Sequence, residues 1–583
     1  MSHDQSGAPV CAEFSGFDGV DTRKTHSGEP TSADILNFRI GTDGSLEKRY
    51  GYRHLLSFPS PPRAFWNGFM EGEEKSFALC DDTVYLADLA TGTFRAIDTV
   101  GTKEGPADFF FYQNALYLID GKQLYAVETD KLFGVFGYVP HYIKDRAPGT
   151  RGEIHQPLNH LNRFARLSFF APEENPLPYL LVDHPIGSVD AVYLNGTPLS
   201  VDEYDYSSIL PSINIRNLQM GDRVVAYVHY DSFPSEKPNL LSSTSAAVFG
   251  GVSNSRVFLW DGNQKNIMYA SSFVSRLDMK ECKNFYSESD PLYFPENYEF
   301  CVGDGQYAIR AIARHFDRLL IFTEGDVWMA STSACGAEDF PTMNINSSVT
   351  CAVKGGAEIL GNDPVSVGKH TLFRWTTETD EKNECNAYSL SVPIDSELDD
   401  RFFQNAILFT DKARGELWFH GKDEAGTVWI YSLARGAWFR FTGIHADQFF
   451  ALGEEVGFLH GAELFCFDPC LATDYDKEGK AHPILASFRS GLLDFGTSAL
   501  KKLDSFQIRA EESQEVPSVR ITADGIGETI FPMGLHPTSA NCCEGHTVRR
   551  RRLHSGRFRH ASLELTAEGS SPLRIHGFTL WAR

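Results

Sequence analysis

No stretch of this 583-residue chain stays apolar for the roughly 18 residues that a membrane-crossing helix needs. No membrane insertion is therefore expected. The opening residues, MSHDQSGAPVCAEF, lack the basic and apolar blocks of a secretion signal. Positive charge is in short supply: 53 Lys and Arg stand against 77 Asp and Glu, a formal net charge of −24. A field of that sign repels phosphate backbones and argues against a general nucleic-acid binder. The 11 cysteines include two close pairs, Cys466 with Cys470 and Cys542 with Cys543. His546 follows the second pair, yet neither pair belongs to a four-ligand zinc set. An odd number without framework spacing reads as reduced thiols made in a cytoplasm.

Catalytic motifs are missing as well. There is no Walker A sequence, no G-x-G-x-x-G, no G-x-S-x-G elbow and no calcium loop. His155 and His160 are five apart in a loop, whereas a zinc-binding helix places them four apart. The segment from Thr410 to Trp418 approaches the S/T-x-D-x-G-x-x-W/F pattern of sialidase blades, but its Asp-to-Gly spacing is wrong and it occurs once. It reads as a hairpin turn. Glycoside hydrolysis needs two carboxylates facing one sugar. The obvious acidic clusters, Asp202-Glu203 and Asp399-Asp400, sit in turn-like contexts where Asp caps local backbone groups. No catalytic, cofactor or metal residue is assigned, and no enzyme activity is expected.

Aromatic residues, in contrast, are plentiful at 13%, with 44 Phe and 22 Tyr. They favour pleated, half-buried surfaces. The 49 Gly and 28 Pro suit many short strands with tight turns. A chain this long exceeds one core, so two to four domains are expected. Lys75–Leu89 alternates about an Asp-Asp turn. Ala107–Val127 carries turns at Gln113-Asn114 and Asp120-Gly121. Val248–Ser272, Ile312–Ala330, Pro364–Val392, Ala406–Phe441 and Phe449–Phe467 repeat the pattern of strand, turn, aromatic strand, turn, strand. Repeats at this spacing point to a propeller, whose blades bury both faces of each β-meander against their neighbours.

The expected fold is all-β: a β-propeller of about six to seven blades, an inserted small β-sandwich and a C-terminal β-sandwich. Some repeats lack an obvious fourth strand. Residues 1–58 read as an N-terminal arm and hairpin, with a strand over Asp34–Arg39, a turn at Asp43-Gly44 and a return over Leu46–Tyr52. Residues 59–158 hold the first blades and 236–484 the remaining ones. Residues 159–235 break the repeat, with a hairpin turned at Asn195-Gly196, and residues 485–583 form the terminal sandwich. No helix has a convincing start and stop.

The wording of three regions is more specific. Tyr293-Phe294-Pro295 precedes His315-Phe316-Asp317 and the strand from Leu319 to Trp328, with Glu324-Gly325-Asp326 as a turn. This resembles a blade of the β-propeller virion proteins of tailed bacteriophages. Phe17, Gly19, Val20 and Asp21, followed by Asn37, Arg39, Gly44, Leu46, Lys48, Arg49, Gly51 and Tyr52, resemble the opening of the same family. Leu493–Gly496, Lys501-Lys502, Leu553–Arg557 and Leu573–Phe578 resemble its C-terminal sandwich. Residues around Asn195 resemble small modules of phage tail proteins.

The resemblance implies a non-enzymatic structural component of a virion. It would be a tail, neck or nozzle-type subunit, made in the host bacterial cytoplasm and assembled into a homo-oligomeric, cyclic ring. Its partners would be other virion tail or neck proteins, with DNA passing through a channel without specific binding. The charge-bearing candidates for subunit contact are Lys48 and Arg49, which otherwise read as a solvated strand edge, and Arg549, Arg550, Arg551 and Arg552. For the four-arginine run a plain solvated strand and a contact with DNA are the other readings. A glycan-binding or glycan-cleaving propeller for host-surface recognition is the alternative, and a bacterial scaffold unrelated to phage a third. Trp66, Trp260, Trp328, Trp375, Trp418, Trp429 and Trp438 mostly fall mid-strand, which favours core over sugar stacking.

Overall fold

The computed structural model describes residues 9–12, 14, 16–17, 25–26, 32–144, 154–172, 179–180, 185–230, 239–249, 255–274, 292–315, 318–331, 340–376, 386–524, 527–535, 546–553 and 556–583. Gly19, Val20, Asp21, Phe316, Asp317, Cys542, Cys543, His554 and Ser555 lie outside the described residues.

The protein is nearly all β. Six antiparallel four-stranded meanders follow one another in the chain. The first runs from Pro62–Met70 to Thr93–Thr99, the second from Asp108–Tyr112 to Leu132–Gly134, and the third from Ser245–Phe249 to Glu299–Cys301. The fourth runs from Ile309–His315 to Thr342–Asn346, the fifth from Ala357–Leu360 to Ala387–Ser389, and the sixth from Ile407–Asp411 to Ala437–Phe441. A seventh sheet takes only three consecutive strands, Gln448–Leu452, Glu455–His460 and Glu463–Asp468. Its fourth is Gly51–Ser57, from the other end of the chain.

The turns between strands follow from residue type. Gln113 and Asn114 both adopt positive φ, as do Asn195 and Gly196, the geometry that two-residue hairpins need to match strand twist.

Strand alternation sends each sheet's side chains to two neighbours. In the second sheet Phe109, Leu116 and Leu118 pack with Phe77, Leu79 and Val84 of the first. The intervening Phe110, Tyr117 and Ile119 pack with Val257, Leu259 and Tyr269 of the third. Phe258, Trp260 and Met268 meet Leu319 and Ile321 of the fourth. Leu320, Phe322 and Val327 meet Trp375 of the fifth. Val365 and Leu372 share a cluster with Leu417 and Phe419 of the sixth and Phe458 of the seventh. Leu56, Leu459 and Leu464 of the seventh pack with Phe65, Ala78 and Cys80 of the first. The contacts thus return to their start.

Two further β units branch from these sheets. Between the second and third, His141–Lys144 pairs in parallel with Phe164–Phe170, which continues through Arg223–Tyr230 to Ile186–Leu194. A three-stranded sheet of Tyr179–Leu180, Tyr204–Ser207 and Ser212–Ile215 completes this insert around its own core of Leu167, Val192, Ile213 and Val224. Its pairing begins at His141, ahead of the residue-159 boundary that the break in the repeat suggests.

The C-terminal unit is a pair of sheets. One contains Leu503–Glu511, His546–Arg552 and Arg574–Ala582. The other contains Ala481–Ser490, Ser518–Ala523, Gly527–Pro532 and Ala561–Gly569.

The N-terminal segment is divided among these units. Ser32–Leu36 pairs with Ala481–Ser490. Phe38–Ile40 and Leu46–Lys48 form a hairpin that joins the opposite sheet along Arg574–Ala582. The single strand expected over Asp34–Arg39 is broken at Asn37, which sits at φ 53°. Asn tolerates this left-handed region better than most residues, and the break sends the chain from one sheet to the other. Among the described residues one short α-helix, Asp400–Gln404, does form. It is capped by Asp399, whose carboxylate accepts from the Phe402 amide.

Gly51 stands where the sandwich gives way to the seventh sheet. A Cβ there would lie 1.8 Å from the Thr473 carbonyl oxygen, a backbone atom that cannot swing aside. Gly51→Ala is therefore expected to lower stability by about 1–3 kcal/mol or more, read as a fall in the urea midpoint with unchanged slope.

Candidate assembly surfaces and buried charge

Lys48 and Arg49 are neither solvated nor available to a neighbouring subunit, which corrects both expectations for them. They are 5% and 3% exposed. Lys48 donates to the Glu515 carboxylate at 3.1 Å and to the Gly569 carbonyl at 2.6 Å. Arg49 forks onto Asp474 at 2.8 and 2.6 Å. It also donates to Asn37 Oδ1, the Tyr50 carbonyl and the Thr442 carbonyl. All five of its N–H donors are used. The reason lies in strand placement: Leu46–Lys48 pairs inside the terminal sandwich and Gly51 begins the seventh sheet, so the two cations fall at the seam. Their acids lie more than 400 residues away in sequence, and no local pattern announces them.

Arg549 to Arg552 lie on His546–Arg552, which among the described residues pairs on one side only, with Leu503–Glu511. Arg550 lies over the Trp581 ring at 4.3 Å and donates to Ser505 Oγ. Arg551 lies over Phe531 at 4.7 Å. Arg550, Arg551 and Arg552 are exposed, and Arg549 is half-buried. Arg550 and Arg552 share one face of the strand. With Lys502 and Arg583 they line a cleft of about 760 Å³ in which Asp504 is the one acid among the described residues. Lys502 was legible only as part of a family-like pair, and its place in this cleft depends on the tertiary fold.

The acidic clusters have structural work of their own. Glu203 accepts from both the amide and the hydroxyl of Ser200 in a capping box. Asp411 accepts from the amides of Ala413 and Arg414, as a hairpin turn should. His160 packs edge-on against Tyr269 and burial holds its pKa down to about 4. Trp260, Trp375, Trp418, Trp429 and Trp438 are buried, while Trp66 and Trp328 are half-buried. Cys466 and Cys470 are free thiols, and no cluster of metal-ligating side chains occurs among the described residues.

The first strands of the meanders carry two unusual acids. Burial pushes Asp108 up to about 6, and its carboxylate accepts from the Ala246 amide of the next sheet. Burial likewise pushes Glu358 up to about 7. Nearby, Lys354 reaches from the turn after the fourth sheet to Asp261 and Thr244 of the third, at 2.7 and 3.0 Å.

Comparison with protein-family models and with curated proteins found no match for this chain.

Removing either partner of the Arg49–Asp474 pair leaves a buried charge without its counterpart, so Asp474→Ala or Arg49→Met should each cost about 3–5 kcal/mol in denaturant unfolding. The double replacement Arg49→Met with Asp474→Leu should recover part of that loss. Asp108 titrates above its ordinary 3.8 in the folded chain, which therefore holds more protons than the unfolded chain between that value and about 6. Stability contributed by this group falls as pH rises through the window. Asp108→Asn should flatten that slope and raise stability at neutral pH by about 1 kcal/mol, measured by thermal unfolding at a series of pH values.

Proposed function

We propose that the seven sheets are the blades of one β-propeller and that the chain is a structural subunit of a tailed-phage or prophage virion, of the tail, neck or nozzle type. It acts by assembly, as part of a homo-oligomeric ring made with other tail or neck proteins, and without catalysis. The observation that carries this reading is the placement of the two sandwiches. The insert leaves the ring between the second and third sheets, and the terminal sandwich grows on the sixth and seventh. On the propeller reading three sheets separate these attachments one way round and four the other, which puts the lobes on opposite rims of the ring. A subunit with unlike lobes on opposite rims suits a heterologous contact, the kind that closes into a ring.

Three further features support it. The chain resembles phage virion propellers in its opening, one blade and the terminal sandwich. The buried tryptophans leave few rings for stacking on sugars. A net charge of −24 lets DNA pass a channel without adhering.

Negative-stain electron microscopy of the purified chain tests the proposal. Closed rings with a central hole are expected. Lone lobed discs under all solution conditions would count against self-assembly, and particles without a disc would overturn the propeller.

A further inference from the structure

The cleft on the terminal sandwich gathers four cations against one acid among the described residues. Lys502 and Arg552 have no ion pair among the described residues, and the one cation near the Asp504 carboxylate among them is Arg583, at 3.8 Å. This uncompensated positive site stands on a chain of net charge −24. Arg550 is held in place by Trp581 and Ser505, so the cleft has a fixed wall rather than a set of loose side chains.

The insert presents the complementary surface. Its segment Val201 to Leu210 exposes Asp202, Glu203 and Asp205 beside large apolar side chains that nothing among the described residues covers. Val201 is 78% exposed, Ile209 91% and Leu210 66%. Asp205 has one solvent-exposed partner, Arg216 at 3.5 Å, an arrangement that holds little energy. Asp202 has no ion pair among the described residues. The backbone is nonetheless set: the Ser200–Glu203 capping box fixes the entry, and pairing of Tyr204–Ser207 with Ser212–Ile215 fixes the hairpin. An ordered, exposed, acidic and apolar hairpin has the composition of a contact surface.

We infer that the basic cleft of Lys502, Arg550, Arg552 and Arg583 receives the Val201–Leu210 hairpin of a second copy of this chain. The inference rests on the ring reading above and names its contact. Asp202 and Asp205 meet the cations, while Ile209 and Leu210 lose their exposed area against the neighbouring sandwich. On the propeller reading the two lobes attach on opposite sides of the ring, so the contact joins the hairpin of one copy to the cleft of another and runs head to tail.

The test mixes isotopically light and heavy copies of the full chain and treats them with a zero-length carboxylate-to-amine cross-linker. Links between Lys502 of one isotope and Asp202 or Asp205 of the other are expected. The variants Lys502→Glu/Arg552→Glu and Asp202→Lys/Asp205→Lys should each weaken self-association by about tenfold or more. Mixing the two variants restores it, with thermal unfolding of each variant matching the parent. Rings that lack these links and that both variants form normally would overturn the contact and leave the ring standing. A parent chain that stays monomeric and gives no inter-copy link would overturn both. A monomer that instead retains duplex DNA, and loses it in Lys502→Glu/Arg552→Glu, would overturn the contact by assigning the cleft to phosphate.

Discussion

The fold turns on one buried ion pair. Taking a guanidinium and a carboxylate out of water costs several kcal/mol for each ion unless geometry and hydrogen bonding offset it. At Arg49 and Asp474 they do, through a two-pronged fork and three further acceptors. Asn37 completes the arrangement. Its side-chain oxygen accepts from Arg49 and from the Thr442 amide, while its amide group donates to the Thr442 hydroxyl and the Leu485 carbonyl. Four distant stretches of chain therefore meet at one polar node: the N-terminal strands, the end of the sixth sheet, the short strand Thr473–Tyr475 after the seventh and the first long strand of the sandwich. An apolar contact could hold the same surfaces together, but it would not fix their relative angle. Directional bonds can, and the angle of the sandwich on the sixth and seventh sheets decides where its outer edge points.

Sequence patterning revealed the repeating unit and hid its closure. Short-range signals were reliable where backbone chemistry is local. Gln113-Asn114 and Asn195-Gly196 turn because those residues accept positive φ, and the Phe- and Leu-rich runs alternate because both faces of each meander are covered. The partner of a strand is another matter. The return strand expected over Leu46–Tyr52 is in fact two, Leu46–Lys48 and Gly51–Ser57, and nothing near the second names its partner Glu463–Asp468. The clue lay in the last repeat, which has only three strands of its own. Asn37 was a similar case: its neighbours alternate as one strand would, and only the left-handed turn shows that two sheets share them.

The charges were harder still. Lys48-Arg49 and Arg549–Arg552 are alike as text, basic residues on strands. The first pair is sealed against acids from far along the chain and the second group lines an open edge. Burial decides between these roles, and burial is a property of the assembled seam. The overall acidity was legible, as was the excess of aromatic side chains that fill the gaps between sheets. What the sequence could not convey was that a strongly acidic chain keeps one concentrated positive cleft on its last domain.

Closure of the seventh sheet also sets a timetable. During synthesis Gly51–Ser57 emerges early, yet its partner strand Glu463–Asp468 is made some 400 residues later. Contacts of such sequence separation form slowly, because a long loop must close before the pairing rewards it. Until then the first sheet lacks the neighbour that covers Phe65 and Ala78, and the N-terminal strands wait for a sandwich that is translated later still. The nascent chain therefore carries an open array of sheets with sticky edges for most of its time on the ribosome. Completion waits for the sandwich, which pairs Ser32–Leu36 and Leu46–Lys48 with strands made more than 400 residues later.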